Sequence, residues 1–402
     1  KMEKITKVVL PENHHPHDDH NHQHDHNNQH EHKELKEELP VDVDPNSTYL
    51  DMENQRMRTL TGVIHLRHLD NLCCRANEIT SLSLLERDDA PLRTLETLDL
   101  YSNRLTSCAH LHLLINLTWL DLSFNELRRI ENVEGLLKLR EVFFANNKIT
   151  KIENLSTLTN LAQIELGSNR IRTIENLDNL TNLEQLWLGR NKITVIQGLE
   201  TLTNLATLSI QSNRLITVGK GLEKCVNLKE VYLSHNGLQD MKGFETLVNL
   251  KVLDLTSNQI KKLEKLENCT QLEEVWLGSN FIECFDDLDC IKSDVIETIY
   301  LERNPVESHP SYRERILGKL PKLLQIDANM VEDFIDELKV DSGPNRGVVE
   351  ETERELQAKQ DPDQLLDKLL AARKQKSEGL VRTALQQKEQ GATEQKIDAE
   401  NP

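Results

Sequence analysis

The chain has 402 residues, of which 37% are hydrophobic, 29% charged and only 4% aromatic, and its net charge is -19. This length exceeds what one compact core supports and predicts several domains or a repeat array. An acidic chain without a block of Lys or Arg argues against nucleic-acid binding, and no stretch approaches the roughly 20 apolar residues of a membrane span.

Residues 1–47 form a polar, acidic and His-rich segment that predicts a disordered tail. Nine of the 15 His lie between residues 14 and 32, among Asp residues. Imidazole and carboxylate groups can bind zinc or nickel weakly, so a metal-storage tail is one alternative. Nothing in the pattern fixes a ligand geometry, and we favour disordered filler. We therefore predict no metal site and no cofactor.

Residues 48–76 predict an N-terminal cap and a first, degenerate repeat. Leu60, Ile64 and Leu66 are the candidates for closing the core at this end.

Residues 77–305 carry a repeat aligned on one asparagine, with most spacings equal to 22. Copies include LDLSFN (120–125) and IELGSN (164–169). This is the leucine-rich-repeat pattern. It predicts an α/β solenoid, a horseshoe of about eleven 22-residue repeats with a parallel concave sheet, capped at both ends and flanked by disordered tails. The aligned asparagines are Asn77, Asn103, Asn125, Asn147, Asn169, Asn191, Asn213, Asn236, Asn258, Asn280 and Asn304.

The repeat unit explains its own composition. Two aliphatic residues at period two point to the same side of a short strand, so stacked strands build a core of Leu and Ile with few aromatic rings. The asparagine follows the strand, where its amide can satisfy unpaired backbone groups and form a ladder. One unit cannot bury its own face, so stability comes from neighbouring repeats.

Two segments follow the array. Residues 306–330 predict a C-terminal cap, in which Ile316, Leu317 and Leu320 of an amphipathic helix cover the last repeat. Residues 331–402 predict a charged extension that is partly helical or disordered. Its leucines at 365, 366, 369 and 370 have helical spacing, which suits either a partner-binding helix or, as we favour, a solvated one.

The residue between the two aliphatic positions points away from the core, onto the concave face, so folding does not dictate its type. Five of these eleven residues are aromatic, and Trp119 faces the same way. Such rings could pack only on one another, but apolar surface exposed in register favours a protein interface. The acidic members would pair with Lys or Arg of a partner. The column contains Cys73, Asp99, Asp121, Phe143, Glu165, Trp187, Ser209, Tyr232, Asp254, Trp276 and Tyr300.

Motifs of catalysis are missing from the repeats. They contain no phosphate-binding glycine loop, no nucleophile elbow and no His-Glu-x-x-His motif, so we expect no enzyme. The seven Cys lack zinc-type spacing and indicate reduced thiols.

Several stretches resemble the leucine-rich-repeat regulatory subunit 7 family of protein phosphatase 1. They lie within residues 38–330 and include ELGSNRIRTIENLDNLTNLE (165–184), YLSHNG (232–237) and YLERNP (300–305). The resemblance implies a non-catalytic subunit that binds the type-1 Ser/Thr phosphatase catalytic subunit and controls its activity, maturation or localisation. It also implies nuclear and cytoplasmic pools, a further phosphatase inhibitor protein in the same complex, no membrane association, and a monomer when free.

The resemblance also implies the partner-binding residues. All of them except Glu274 lie in the column described above, and Trp187 stands where the family often has Phe. The His-rich start and the continuation to residue 402 depart from the family pattern. The implied residues are Asp121, Phe143, Glu165, Trp187, Asp254, Glu274, Trp276 and Tyr300.

Residues 140–144 (REVFF) match a short docking motif of many phosphatase subunits, but Val142 and Phe144 occupy core positions, so we expect no docking there.

The alternative function is a leucine-rich-repeat scaffold for another protein, cytoskeletal or axonemal, that uses the extension 331–402.

Overall fold

A computed structural model of the chain describes residues 43–61, 63, 66–86 and 91–332. The chain divides into two compact units, Lys1–Asn329 and Met330–Pro402. Of the second unit, only residues 330–332 are described. The predictions for the histidine-rich tail and for the leucines of the extension therefore concern residues outside the described ranges, and so does the prediction for Ile64.

The first unit is built from short parallel strands that follow one another in chain order. Strands β1 to β13 pair successively, and each pair is parallel. The strands are β1 (Tyr49–Asp51), β2 (Asn71–Cys73), β3 (Thr97–Asp99), β4 (Trp119–Asp121), β5 (Glu141–Phe143), β6 (Gln163–Glu165), β7 (Gln185–Trp187), β8 (Thr207–Ser209), β9 (Glu230–Tyr232), β10 (Val252–Asp254), β11 (Glu274–Trp276), β12 (Thr298–Tyr300), β13 (Gln325–Ile326) and β14 (Asn329–Met330).

Helical structure is limited to short pieces on the returning half of the repeats. One α-helix, α1, spans Tyr312–Lys319 in the part of the chain that is described. Elsewhere single turns close with i to i−3 bonds, as when the N–H of Leu158 donates to the carbonyl of Leu155 (2.9 Å). The 3-10 helices are Ser83–Glu86, Pro91–Thr94, Leu111–Leu113, Phe285–Cys290 and Pro305–Ser308.

The core is the aliphatic stack that the repeat predicts. In register across neighbouring strands, Leu120 lies opposite Val142 and Val142 opposite Ile164, and all three are fully buried. Because every strand contributes the same middle position, the burial is continuous along the array. The leucine-rich-repeat solenoid is therefore confirmed.

The asparagine ladder joins each repeat to the one before it. The side-chain amide of Asn169 donates to the carbonyl of Phe144 in the preceding repeat (2.9 Å) and to Leu166 of its own repeat (3.0 Å). Its Oδ1 accepts the N–H of Ile149 (3.0 Å). The other aligned asparagines repeat this set, from Asn77 to Asn304.

The two ends of the array are closed differently. Strand β1 precedes the first aligned asparagine, and the pattern does not reveal it because Gln55 stands at the asparagine position. Leu60 and Leu66 are buried nearby. At the other end Asp327, directly after β13, accepts N–H groups of Leu301 (2.8 Å) and Glu302 (2.9 Å).

Helix α1 covers this C-terminal end. Ile316 and Leu320 are buried and Leu317 is half-buried, and the hydroxyl of Tyr312 donates to Oδ2 of Asp327 (3.1 Å). The helix thus seals the aliphatic core where no further repeat follows.

Candidate functional site

The concave face consists of the first and third residues of each strand, on either side of the buried middle residue. Neighbouring third residues are register partners, as Phe143 is of both Asp121 and Glu165. Adjacent parallel strands lie about 4.8 Å apart, so side chains of successive repeats touch. Seven of the eight residues implied as partner-binding occupy third positions, and Glu274 occupies the first position of β11.

The structure separates these eight residues into two clusters on one face. The first cluster is Asp121, Phe143, Glu165 and Trp187 on consecutive strands β4 to β7. The second is Asp254, Glu274, Trp276 and Tyr300 on β10 to β12. Strands β8 and β9 lie between the clusters and contribute Ser209 and Tyr232.

The aromatic rings of the concave face pair across strands. Trp276 stacks on Tyr300 with 4.7 Å between ring centroids, and Trp276 remains 37% exposed. Trp187 stacks on Tyr232 at 6.2 Å, across the buried Ser209. The rings do pack on one another, yet the exposed indole of Trp276 offers apolar surface to a partner.

Two residues complete these pairs and are absent from the eight. Tyr232 is the partner of Trp187, and Trp119 packs on Phe143 with centroids 5.4 Å apart. The sequence signal for both is their place on the concave face, since Tyr232 lies in the third column and Trp119 in the first. A site defined by physical contact therefore includes them.

Glu165 is the most perturbed acid on this face. Burial, with a smaller contribution from the charge of Asp121, raises the pKa of its carboxyl to about 7 against the opposing N–H of Gly167. That N–H donates to Oε1 of Glu165 (2.5 Å). A Cβ atom on Gly167 would lie 2.5 Å from the same oxygen, so an alanine at this position would require the Glu165 carboxyl to move.

The other acids of the face are held by their own strand ends. The Oδ1 atoms of Asp121 and Asp254 accept N–H groups of Ser123 (2.7 Å) and Thr256 (3.0 Å). Burial raises the pKa of Asp121, against the opposing hydrogen bonds from Ser123. No ion pair joins Asp121, Glu165, Asp254 or Glu274 to a cation within the described ranges. A basic partner would therefore displace no ion pair of these carboxyls within those ranges.

Other kinds of site find no support in the described parts of the chain. No group of three or more His, Cys, Asp or Glu side chains could hold a metal ion there. A search of the same residues gives no helix that is long and apolar enough to cross a membrane. The seven cysteines are free thiols, and only Cys73 and Cys284 are not buried. Val142 and Phe144 of the docking-like motif are fully buried in the core.

Comparison with known proteins identifies the class. A family model for leucine-rich repeats (two copies) matches residues 115–157, 137–179, 181–224, 226–268 and 248–290. The solved internalin InlF of Listeria monocytogenes is 25% identical with a TM-score of 0.56, over 70% of this chain and 87% of that one. Listeria InlJ is 22% identical with a TM-score of 0.58, over 71% of this chain and 63% of that one, and supports the fold alone. The chain has the leucine-rich-repeat fold.

The names of the curated relatives are more specific than the description of the repeat family. The protein phosphatase 1 regulatory subunit pprA of Dictyostelium discoideum is 44% identical over 74 residues, which are 18% of this chain and 22% of that protein. Protein phosphatase 1 regulatory subunit 7 of Homo sapiens is 46% identical over 51 residues, 12% of this chain and 14% of that protein. The alignments span less than a quarter of these relatives, and over that part they confirm the resemblance seen in the sequence.

Proposed function

We propose that this chain is a non-catalytic regulatory subunit that binds the catalytic subunit of protein phosphatase 1 through its concave face. Through this contact it would control the activity, maturation or localisation of the enzyme. The observation that carries the proposal is that the eight residues implied by the resemblance share one face of the sheet. The names of the curated relatives support the choice of partner.

The chemistry of the face fits such a partner. Trp and Tyr are the residue types that most often dominate binding energy at protein interfaces. Among the described residues the acids beside them form no ion pair, so Lys or Arg from the partner would gain an ion pair without breaking one there. The arrangement supplies a large binding surface, and every catalytic group would belong to the phosphatase.

The remaining elements of the proposal follow the same resemblance. The free chain would be monomeric, an inhibitor protein would join the complex, and the complex would occur in nucleus and cytoplasm. A monomer accords with ends that are closed by the chain itself, since α1 covers the last repeat.

The test measures binding of purified phosphatase catalytic subunit to the full chain by biolayer interferometry. The double variant Glu165→Ala/Trp276→Ala takes one residue from each cluster, and we expect its affinity to fall about 30-fold or more. The matched control is Phe281→Ala/Glu283→Ala, which removes an exposed aromatic and an exposed acid outside the strands. The control should bind as the wild type does.

Circular dichroism melting would establish that both variants are folded. Equal binding by a folded Glu165→Ala/Trp276→Ala variant would refute the site. Failure of the wild-type chain to bind the phosphatase would refute the partner.

A further inference from the structure

The residue before each aligned asparagine has a left-handed backbone. Its φ lies between 50° and 58° in all eleven repeats that carry the asparagine. This conformation disfavours large side chains, because the Cβ atom approaches the following carbonyl oxygen. The position is held by Ala76, Ser102, Phe124, Asn146, Ser168, Arg190, Ser212, His235, Ser257, Ser279 and Arg303.

Phe124 is the one large apolar side chain in this set. It has φ 56° and is 44% exposed, so its ring is not part of the aliphatic core. The backbone there is already fixed without the ring, since the N–H of Phe124 donates to the carbonyl of Ala145 (2.7 Å) as its counterparts do in other repeats. Folding therefore gives no reason for a phenylalanine at this position.

Phe124 rests on a second aromatic residue. Its ring lies 4.8 Å from that of Tyr101, centroid to centroid, at an angle of 45°. The guanidinium of Arg75 covers the Tyr101 ring at 4.2 Å, and Arg75 is itself paired with Asp99 (2.9 Å). Tyr101 thus contacts Arg75 of the preceding repeat and Phe124 of the following repeat.

The pair continues the concave face beyond the strand ends. Arg75 contacts both the Tyr101 ring and Asp99, which places Tyr101 beside the third residue of β3. Phe124 comes three residues after Asp121, the first acid of the proposed partner site. In the next repeats the place of Tyr101 is taken by Ser123, Ala145 and Gly167, so the aromatic platform is confined to this end.

A purely structural role does not account for the pair. A tilted ring contact stabilises a fold modestly, and the left-handed conformation of a bulky residue costs at least as much. The exposed face of Phe124 then adds no stability. Phe124 is an exposed aromatic residue in a costly backbone conformation, and it adjoins the proposed binding face. These features are typical of an anchor residue at a protein interface.

We propose that Phe124, seated on Tyr101, is a further anchor for the phosphatase catalytic subunit. The partner surface that covers Asp121 continues over the ends of β3 and β4 and places an apolar side chain against Phe124. This inference rests on the proposed function and extends its contact area past the eight residues.

The test is Phe124→Ser, because Ser102 and Ser168 already occupy the same conformation. We expect an unchanged or higher melting temperature together with an affinity for the purified phosphatase catalytic subunit that is about 10-fold lower. The matched control is Phe281→Ser, which removes a phenylalanine that is 51% exposed outside the strands and should bind as the wild type does. Phe124→Tyr keeps the ring and should also bind normally.

The outcomes separate this inference from the function beneath it. Wild-type affinity in the Phe124→Ser variant would overturn the anchor and leave the proposed function standing. A wild-type chain that does not bind the phosphatase would overturn both. If Phe124→Ser lowers the melting temperature, Phe124→Asn is measured as well, since Asn146 has the same backbone. Loss of stability in both variants would show a structural role and overturn the anchor.

Discussion

The carboxyl of Glu165 makes the concave face sensitive to pH. Its pKa is raised to about 7 by burial, from 4.5 for an exposed glutamate. Below pH 4.5 the group is protonated in both the folded and the unfolded chain. Between 4.5 and 7 the unfolded chain releases the proton while the folded chain keeps it, so stability is lost as the pH rises through this window.

Glu165→Gln removes that dependence. At pH 8 we expect the variant to have a free energy of unfolding about 1–3 kcal/mol above that of the wild type, because it no longer buries a charge. At pH 4 the two proteins should be nearly equal. Urea unfolding across this pH range measures the difference. Glu283→Gln, at an exposed position, is the control and should show no such trend; a pH-independent gap for Glu165→Gln would contradict the assignment.

The sequence predicts on which face of the sheet the side chain of Glu165 lies, but it does not predict whether the carboxyl is protonated. The period of two places the side chain on the concave face, and the strand register confirms that placement. The raised pKa comes first from burial of the carboxyl and then from the charge of Asp121, against the N–H of Gly167, and the repeat pattern encodes none of these. The same holds for Phe124, whose exposure follows from a backbone angle rather than from its place in a strand.

At the scale of the element, the asparagine ladder connects successive repeats. Asn169 and Asn213 make the same four kinds of hydrogen bond, with the N–H of one aliphatic residue and three carbonyl oxygens. Asn169 is buried, whereas Asn213 is only half-buried. Water can therefore replace part of the bonding of Asn213 but little of that of Asn169.

Truncation of the two residues should separate these contributions. We expect Asn169→Ala to lower the free energy of unfolding by about 2–4 kcal/mol, because buried carbonyl and N–H groups lose their partners. Asn213→Ala should cost roughly 1 kcal/mol less, since its backbone groups can bind water. Chemical denaturation of both variants measures the difference. A larger loss for Asn213→Ala would show that burial does not set the strength of the ladder.

Strands that follow the repeat consensus can be predicted from the sequence, whereas elements that depart from this consensus cannot. The aligned asparagines and the buried aliphatic positions predict strands β2 to β12 directly. Strand β1 escaped the pattern because Gln55 replaces the asparagine. The sequence also does not reveal a second ladder, in which Asn160 and Asn182 donate to the carbonyls of Leu137 (2.8 Å) and Thr159 (2.9 Å) in the preceding repeat. Its residues look like ordinary polar surface until the repeats are stacked.

At the scale of the first unit, function depends on how far the array stays intact. The two clusters of the proposed site lie on β4 to β7 and on β10 to β12, so a partner that contacts both spans strands β8 and β9. Each repeat is stabilised by its neighbours, so local opening propagates along the stack rather than across it. Destabilising a terminal repeat should then leave the distance between the two clusters of the proposed site unchanged. Destabilising a central repeat should change that distance.

Matched core truncations test this dependence. Leu50 of β1 and Leu186 of β7 are both fully buried at the middle position of their strands. Leu50→Ala should increase hydrogen exchange near β1 alone and leave phosphatase binding unchanged. Leu186→Ala should lose roughly 2–5 kcal/mol of stability, increase exchange on both sides of β7 and weaken binding. Exchange mass spectrometry and interferometry report the two effects. An equal loss of affinity in both variants would mean that the array opens as a single unit. In that case a cavity would weaken binding by the same amount wherever it lies along the stack.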